Sequence, residues 1–497
     1  MKVAAQGRNL RGVLFSCAAL ALFLLTGCAV GPRYSRPTAP VPPAYRETPE
    51  NWKQAQPADQ ALRGNWWEVY QDPALNALEE RINISNQSLK AAQAQFAQAR
   101  AVVRQNRADY YPTISTNPSV TQNRISENRP LRPATGTSSN YTDLVLPLDV
   151  SYEPDLWGRV RRTVEAARSN AEASAADLES VSLSLHAELA IDYFQGRALD
   201  AEIQLLDSTV AAYEKALQLT QNRYQGGIAS QVDVAQAQTQ LETTRAQAID
   251  LRAQRAAYEH AIATLVGESA SNYALPPAPL NAAPPVTPPG IPSELLQRRP
   301  DLAAAERRVS AANAEIGVAR SAYFPILSLT ADGGFESTTI TNWLSGPSGF
   351  AAVGLAAFET LFDAGRRHAV SDQAVAVYDQ SVANYRQNVL SAFQEVEDNL
   401  AALRILEQEA QTQAAAVAAS EHSLTLSTNR YRGGVATYLE VITAQSLALS
   451  DERVAVEISG RRMVDSVLLI KALGGGWSTA HLPTVQNPPR SSSTTGQ

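Results

Sequence analysis

Two six-residue stretches, Asn222-Arg223-Tyr224-Gln225-Gly226-Gly227 and Asn429-Arg430-Tyr431-Arg432-Gly433-Gly434, stand 207 residues apart. Each closes a 67-residue stretch free of proline, Arg159 to Gln225 and Arg366 to Arg432, in which the only glycine is Gly196. As helices these stretches would each run roughly 100 Å, far longer than a compact domain requires. A second uninterrupted helical pattern follows each, Ile228 to Val266 and Val435 to Leu473. Glycine accepts positive φ at a helix C-terminus without steric cost, so Gly-Gly is where the chain turns back. The chain is therefore an internal duplication of one long helical hairpin, with equivalent tips.

Residues 1–27 read as a leader. Lys2, Arg8 and Arg11 precede an apolar run from Val13 to Leu25 that is short for a membrane span. The run ends in Leu25-Thr26-Gly27-Cys28, which resembles a bacterial lipobox. That resemblance implies removal of the leader and lipid attachment at Cys28. Ala29, rather than an aspartate, follows, which by the same resemblance implies the outer membrane. The other cysteine is Cys17, inside the leader, so the body has no thiol for disulfides or cysteine catalysis.

Prolines make residues 28–71 an extended segment. The first repeat occupies 72–269. Asp72-Pro73 is an N-cap and first helical position, and that helix runs to Asp109 with a break near Asn86. Tyr111-Pro112 ends it. Thr, Ser, Ile and Val between 112 and 127 suit a strand. Leu144, Leu146, Leu148, Val150 and Tyr152 then alternate with Val145, Pro147, Asp149, Ser151 and Glu153, the clearest period-two stretch in the chain. A proline-rich linker covers 270–292. In the second repeat, 293–476, a helix runs from Pro300 to Tyr323, Leu327, Leu329 and Ala331 alternate with polar residues, and 350–361 is a weaker strand. The tail, 477–497, has the composition of a disordered segment. The fold class is mainly α with a small β part: each half is helix, two strands, long helix, tip and return helix.

Four strands are too few to close around a lumen, and an open sheet leaves its edges exposed. In lipid, unpaired edges are worse still. Shared closure between several chains solves this. Composition and spacing thus suggest an oligomer and do not fix its number.

The repeated Asn-Arg-Tyr-x-Gly-Gly, Leu156-Trp157-Gly158-Arg159, Leu361-Phe362-Asp363 and Ala472-Leu473-Gly474-Gly475-Gly476-Trp477 together resemble the TolC/OprM family of outer-membrane factors. The likeness spans nearly the whole mature chain. It implies a homotrimer: a twelve-stranded barrel in the outer membrane above a helical barrel in the periplasm. It also implies the exit duct of a tripartite pump, with a periplasmic adaptor and an inner-membrane transporter as partners. By the same resemblance Glu440 and Thr443 take pore-ring positions at a periplasmic gate. Thr443 departs from the acid common there. Leu439 offers an apolar constriction, and Tyr431 matches a tyrosine that holds the tip shut. Tyr224 and Asp233 are the first-repeat counterparts of Tyr431 and Glu440. The bland reading makes both acids solvated helix-start residues. Gly226, Gly227, Ile228, Gly433, Gly434 and Val435 are the expected adaptor contacts.

His186, His260, His368, His422 and His481 are scattered without metal spacing, and Met463 is the one methionine after processing. No phosphate loop, Gly-x-Ser-x-Gly or dinucleotide fingerprint occurs, so neither an enzyme nor a cofactor beyond the lipid is expected. No basic face suggests nucleic acid. Two other readings stay open: a periplasmic coiled-coil lipoprotein acting as adaptor or scaffold, and a duct for protein export.

Overall fold

The computed structural model describes residues 29–47, 64–126, 140–285, 287 and 292–482. The leader, Cys28 and the tail beyond Leu482 lie outside them.

Helix α1, Pro73–Ser85, starts where Asp72 accepts hydrogen bonds from the amides of Ala74 and Leu75. Asn86 breaks the helical run as expected. Its backbone is extended, its side-chain Oδ1 accepts from the Leu89 amide to cap α2, Gln87–Ala108, and its side-chain Nδ2 donates to the Leu265 carbonyl. After strands β1, Thr113–Ser115, β2, Ser119–Arg124, and β3, Asn140–Tyr152, the long helix α3 covers Arg159–Gln225, and α4 returns over Gln231–Leu265. The second half repeats this plan: α5, Pro292–Arg298; α6, Pro300–Ser321; β4, Ile326–Ser337; β5, Gly349–Phe358; α7, Arg366–Arg432; and α8, Tyr438–Ala472. The bounds of α3 and α7 coincide with those read from sequence. The return helices begin three residues later than their patterns, because residues before them form the turn.

Gly158 and Gly365 precede the long helices with φ of 84° and 87°. Asp155 accepts from the Val160 and Arg161 amides, and Asp363 from those of Gly365 and Arg367. Asp155 and Asp363 thus do the same capping work ahead of matched Gly158 and Gly365, with Asp363 one residue nearer its glycine.

The first expected strand is split into β1 and β2, with Pro118 in the gap, but both pieces pair antiparallel with β3 in one register. β3 pairs with β4 across the two repeats, and β4 with β5. The outcome is a four-rung antiparallel sheet whose outer rungs, β1/β2 and β5, have free edges within the chain. Its faces differ. One row runs Ile114, Val150, Ala331, Val353, and the next carries Tyr152, Leu329 and Leu355. The opposite face holds Thr113, Ser151, Thr330 and Gly354, then Ser115, Asp149, Asp332 and Ala352. Ile114, Leu148, Val353 and Leu355 are exposed in the single chain. Among the described residues no helix is long and apolar enough to cross a membrane.

Two apolar cores sit midway along the long helices. One gathers Trp66, Trp67, Ile82, Phe194, Ile262 and Met463, and the other Tyr45, Leu302, Tyr385, Phe393 and Leu469. Residues 29–47 run extended and are bound along their length. The Arg162 guanidinium donates to the carbonyls of Val30, Gly31 and Pro32, Tyr34 bonds Glu306, and Glu397 accepts from the amides of Arg46 and Glu47. The linker is pinned too. Buried Asp200 takes Arg197, Arg255 and the Ala278 amide, while Arg197 donates to the Pro276 carbonyl. Beyond the cores the hairpins pack as coiled coils: Leu206, Tyr213 and Thr220 are buried at seven-residue intervals on α3.

The two repeats are not equally covered. Helix α6 lies between α3 and α7 and is buried along most of its length. Its counterpart α2 buries only Leu89, Ala92 and Val103. The first part of α7, from Arg366 to Asn384, buries nothing, whereas the same part of α3 mostly alternates buried and half-buried residues.

Candidate functional site

Both long helices end in the same hydrogen-bond pattern. Gly226 and Gly433 donate to the carbonyls of Asn222 and Asn429, and Ile228 and Val435 reach back to Arg223 and Arg430. The second glycine of each pair takes the positive φ, 74° at Gly227 and 77° at Gly434. This closes the helix ends and thrusts Ile228 and Val435 outward, each 71% exposed.

The return helices start differently. Ser230 and Asp233 form a reciprocal capping box at α4, so Asp233 is occupied by its own helix end. Thr437 caps α8 with no side-chain bond. Glu440 instead lies 3.4 Å from Arg430, in a pair exposed enough to contribute little stability. Leu439, Glu440 and Thr443 share one exposed face of α8, and the Thr443 hydroxyl donates to the Leu439 carbonyl.

Tyr431 points the other way. It is buried with Tyr438, Val441 and Ala237, while Tyr224 is 47% exposed. The Tyr431 hydroxyl has no hydrogen-bond partner among the described residues. The connection between the hairpins comes from Arg223: it donates to the Tyr431 carbonyl at 2.8 Å and sits 4.5 Å from the centre of the Tyr431 ring. Tyr438 packs 5.3 Å from Tyr431 and lies beside buried Thr220 on α3. Burial pushes the Tyr438 hydroxyl up to about 12. The end of α3 is thus clasped to the turn between α7 and α8.

Sequence reasoning named Leu439, Glu440 and Thr443 near the tip, which the structure puts on one exposed face, and missed Arg223, Thr220 and Tyr438. Arg223 is written identically to Arg430, so the repeat conceals which arginine crosses. Tyr438 replaces Gln231 of the first repeat, and that departure was the available signal. Among the described residues no group of His, Cys, Asp or Glu could hold a metal ion.

The family model described as outer membrane efflux protein matches residues 79–268 and 291–475, one block for each repeat. Among curated relatives, the antibiotic efflux pump outer membrane protein ArpC of Pseudomonas putida is 34% identical over 462 residues, 92% of this chain and 95% of that protein. The toluene efflux pump outer membrane protein TtgC of Pseudomonas putida is 33% identical over the same shares. Among solved structures, the outer-membrane channel OprN aligns with a TM-score of 0.83 at 29% identity, covering 90% of this chain and all of that one.

Proposed function

Because the chain belongs to the outer membrane efflux protein family, we propose that three copies of it share one duct, held by lipid on Cys28 and gated at the paired helix tips. As a member it is an outer-membrane channel of a tripartite pump, working with an adaptor and an inner-membrane transporter.

The observation that carries the reading is the sheet. One face carries the apolar rows of β3, β4 and β5, and the other carries Asp149, Ser151, Thr330 and Asp332 on β3 and β4, with β5 apolar on both faces, on strands of ten to thirteen residues. Such strands match a bilayer, apolar side to lipid and polar side to a lumen. Three such sheets would make a twelve-stranded barrel wide enough for a lumen, and would pair every free edge.

At the other end, Leu439, Glu440 and Thr443 are the gate residues. Repeated three times around an axis, their exposed faces would converge on the pore. The clasp of Arg223 on Tyr431 favours the closed tip. Gly226, Gly227, Ile228, Gly433, Gly434 and Val435 form the end that meets the adaptor, where Ile228 and Val435 offer apolar contacts. The work is mechanical, with no bond made or broken. The relatives named for toluene and antibiotics support small apolar and amphipathic molecules as cargo.

Planar-bilayer conductance of the purified full-length protein tests this. Discrete small-conductance channels are expected, and larger ones from Glu440→Ala. A folded oligomer that never conducts would rule out the duct. A mutant conductance equal to that of the parent would remove Glu440 from the gate.

A further inference from the structure

Within one chain, α3 of the first repeat packs antiparallel on α6 of the second. Three contacts set their register. The Arg162 side chain lies against Gly317, where an added Cβ would come within 2.9 Å of it. Ser169 and Ser310 place their hydroxyls 3.1 Å apart. Ala176 packs in one cluster with Ala303. Along each helix the three residues are seven apart, so they share one face. All six are buried.

The duplication supplies a second set of the same positions. Gly158 matches Gly365 ahead of the long helices, so Arg162, Ser169 and Ala176 correspond to Ala369, Ala376 and Ala383. Tyr323-Phe324-Pro325 matches Tyr110-Tyr111-Pro112, so Gly317, Ser310 and Ala303 correspond to Arg104, Ala97 and Lys90. All six of these counterparts are exposed. They lie on α7 and α2, the two helices left without the cover their repeats have elsewhere. They do not meet within the chain.

Resting on the trimer reading above, we infer that α7 of each subunit docks on α2 of the next in the α3–α6 register, with Ala369 against Arg104, Ala376 against Ala97 and Ala383 against Lys90 of the partner subunit. Two features of the sequence fit this match. First, size is exchanged across the seam. Inside the chain the large Arg162 of the long helix meets Gly317. Between chains the large residue is the partner's Arg104, and the long helix offers Ala369. Second, charge is complementary. Helix α2 carries Lys90, Arg100, Arg104 and Arg107 and no acid, while the facing part of α7 carries Asp372 and Asp379. In this register the partner's Arg100 falls level with Asp372.

The sheet obeys the same rule. Copying the β3–β4 register onto β5 and the partner's β2 places Leu355 opposite Val120 of the partner subunit. Both are exposed in the single chain, 70% and 67%, and both sit on the apolar face.

The test is disulfide trapping in the full-length acylated protein with Ala97→Cys and Ala376→Cys together. Oxidation should give a covalent ladder ending at the trimer, collapsed by reductant and absent from either single variant. Ser169→Cys with Ser310→Cys is the internal standard: it should cross-link within one chain and give no ladder. Ala91→Cys with Ala376→Cys, displaced by about 9 Å along α2, should stay unlinked, because a disulfide needs its Cα atoms within about 7 Å. Native mass measurement separates the two ways of failing. A trimer that does not cross-link at 97 and 376, or that links equally well at 91, overturns the register and leaves the trimer standing. A folded monomer overturns both.

Discussion

Arg223 holds Tyr431 twice, through its carbonyl at 2.8 Å and its ring face at 4.5 Å, while the tyrosine hydroxyl holds nothing among the described residues. Removing the guanidinium should therefore weaken the clasp, and removing the hydroxyl should not. Arg223→Ala is expected to shift the closed–open balance by about 1.4 kcal/mol, roughly tenfold in open probability, given the usual worth of a charge-assisted hydrogen bond. Tyr431→Phe should match the parent. Single-channel recording of both variants reads the difference.

Tyr438 gives the tip an alkaline limit. Burial raises its hydroxyl from 10 to about 12 in the folded tip. Because the folded form prefers the proton, this group costs nothing below pH 10 and destabilises the tip as pH rises from 10 towards 12. Tyr438→Phe should abolish that alkaline loss and leave the tip within about 1 kcal/mol of the parent at neutral pH. Hydrogen exchange at the tip across that pH range measures both.

The two faces of the sheet should respond oppositely to charge. Leu148 lies in the apolar set, and Leu148→Arg should cost about 2–4 kcal/mol of barrel stability if it falls near the bilayer midplane. Ser151→Arg, on the polar face, should insert normally and alter conductance instead. Outer-membrane yield and heat-modifiability on gels distinguish the pair.

Asp192 on α3 is pushed up to about 6 by burial, with Glu188 one turn away adding to the effect. A raised carboxyl favours the folded state fully below its unfolded value near 4, and this contribution is lost as pH rises through 6. Asp192→Asn should therefore stabilise the protein at pH 7.5 by about 1 kcal/mol after allowance for solvent screening, and leave it unchanged at pH 4. Thermal unfolding at both values checks the sign.

The hairpins were legible because helix length and Gly-Gly turns are local properties. Arg159, Gln225, Arg366 and Arg432 were placed to the residue for that reason. The sheet was legible as period-two patterns, but its order was not, since pairing of Leu146 with Phe335 joins residues far apart in sequence. At the tip, the exposed face of Leu439, Glu440 and Thr443 follows from helical spacing alone. The clasp does not. Arg223 and Arg430 are the same letter in the same motif, and only tertiary contact decides that Arg223 crosses. The Leu361-Phe362-Asp363 landmark was read against Leu156-Trp157-Gly158, whereas Asp363 does the capping work of Asp155. The landmarks were two residues out of register with Gly158 and Gly365, a slip that is invisible until something fixes the ends.

The Asp200 network has a mechanical consequence. It clamps the long helix to the linker 26 residues before Gly226, so about 39 Å of hairpin extends past a fixed fulcrum. Over that lever arm a tilt of about 5° moves the tip by roughly 3 Å, enough to part a contact between the hairpins such as that of Arg223 with Tyr431. The iris at the far end can thus be worked by elastic flexure of otherwise intact helices, with no hinge residue along their length.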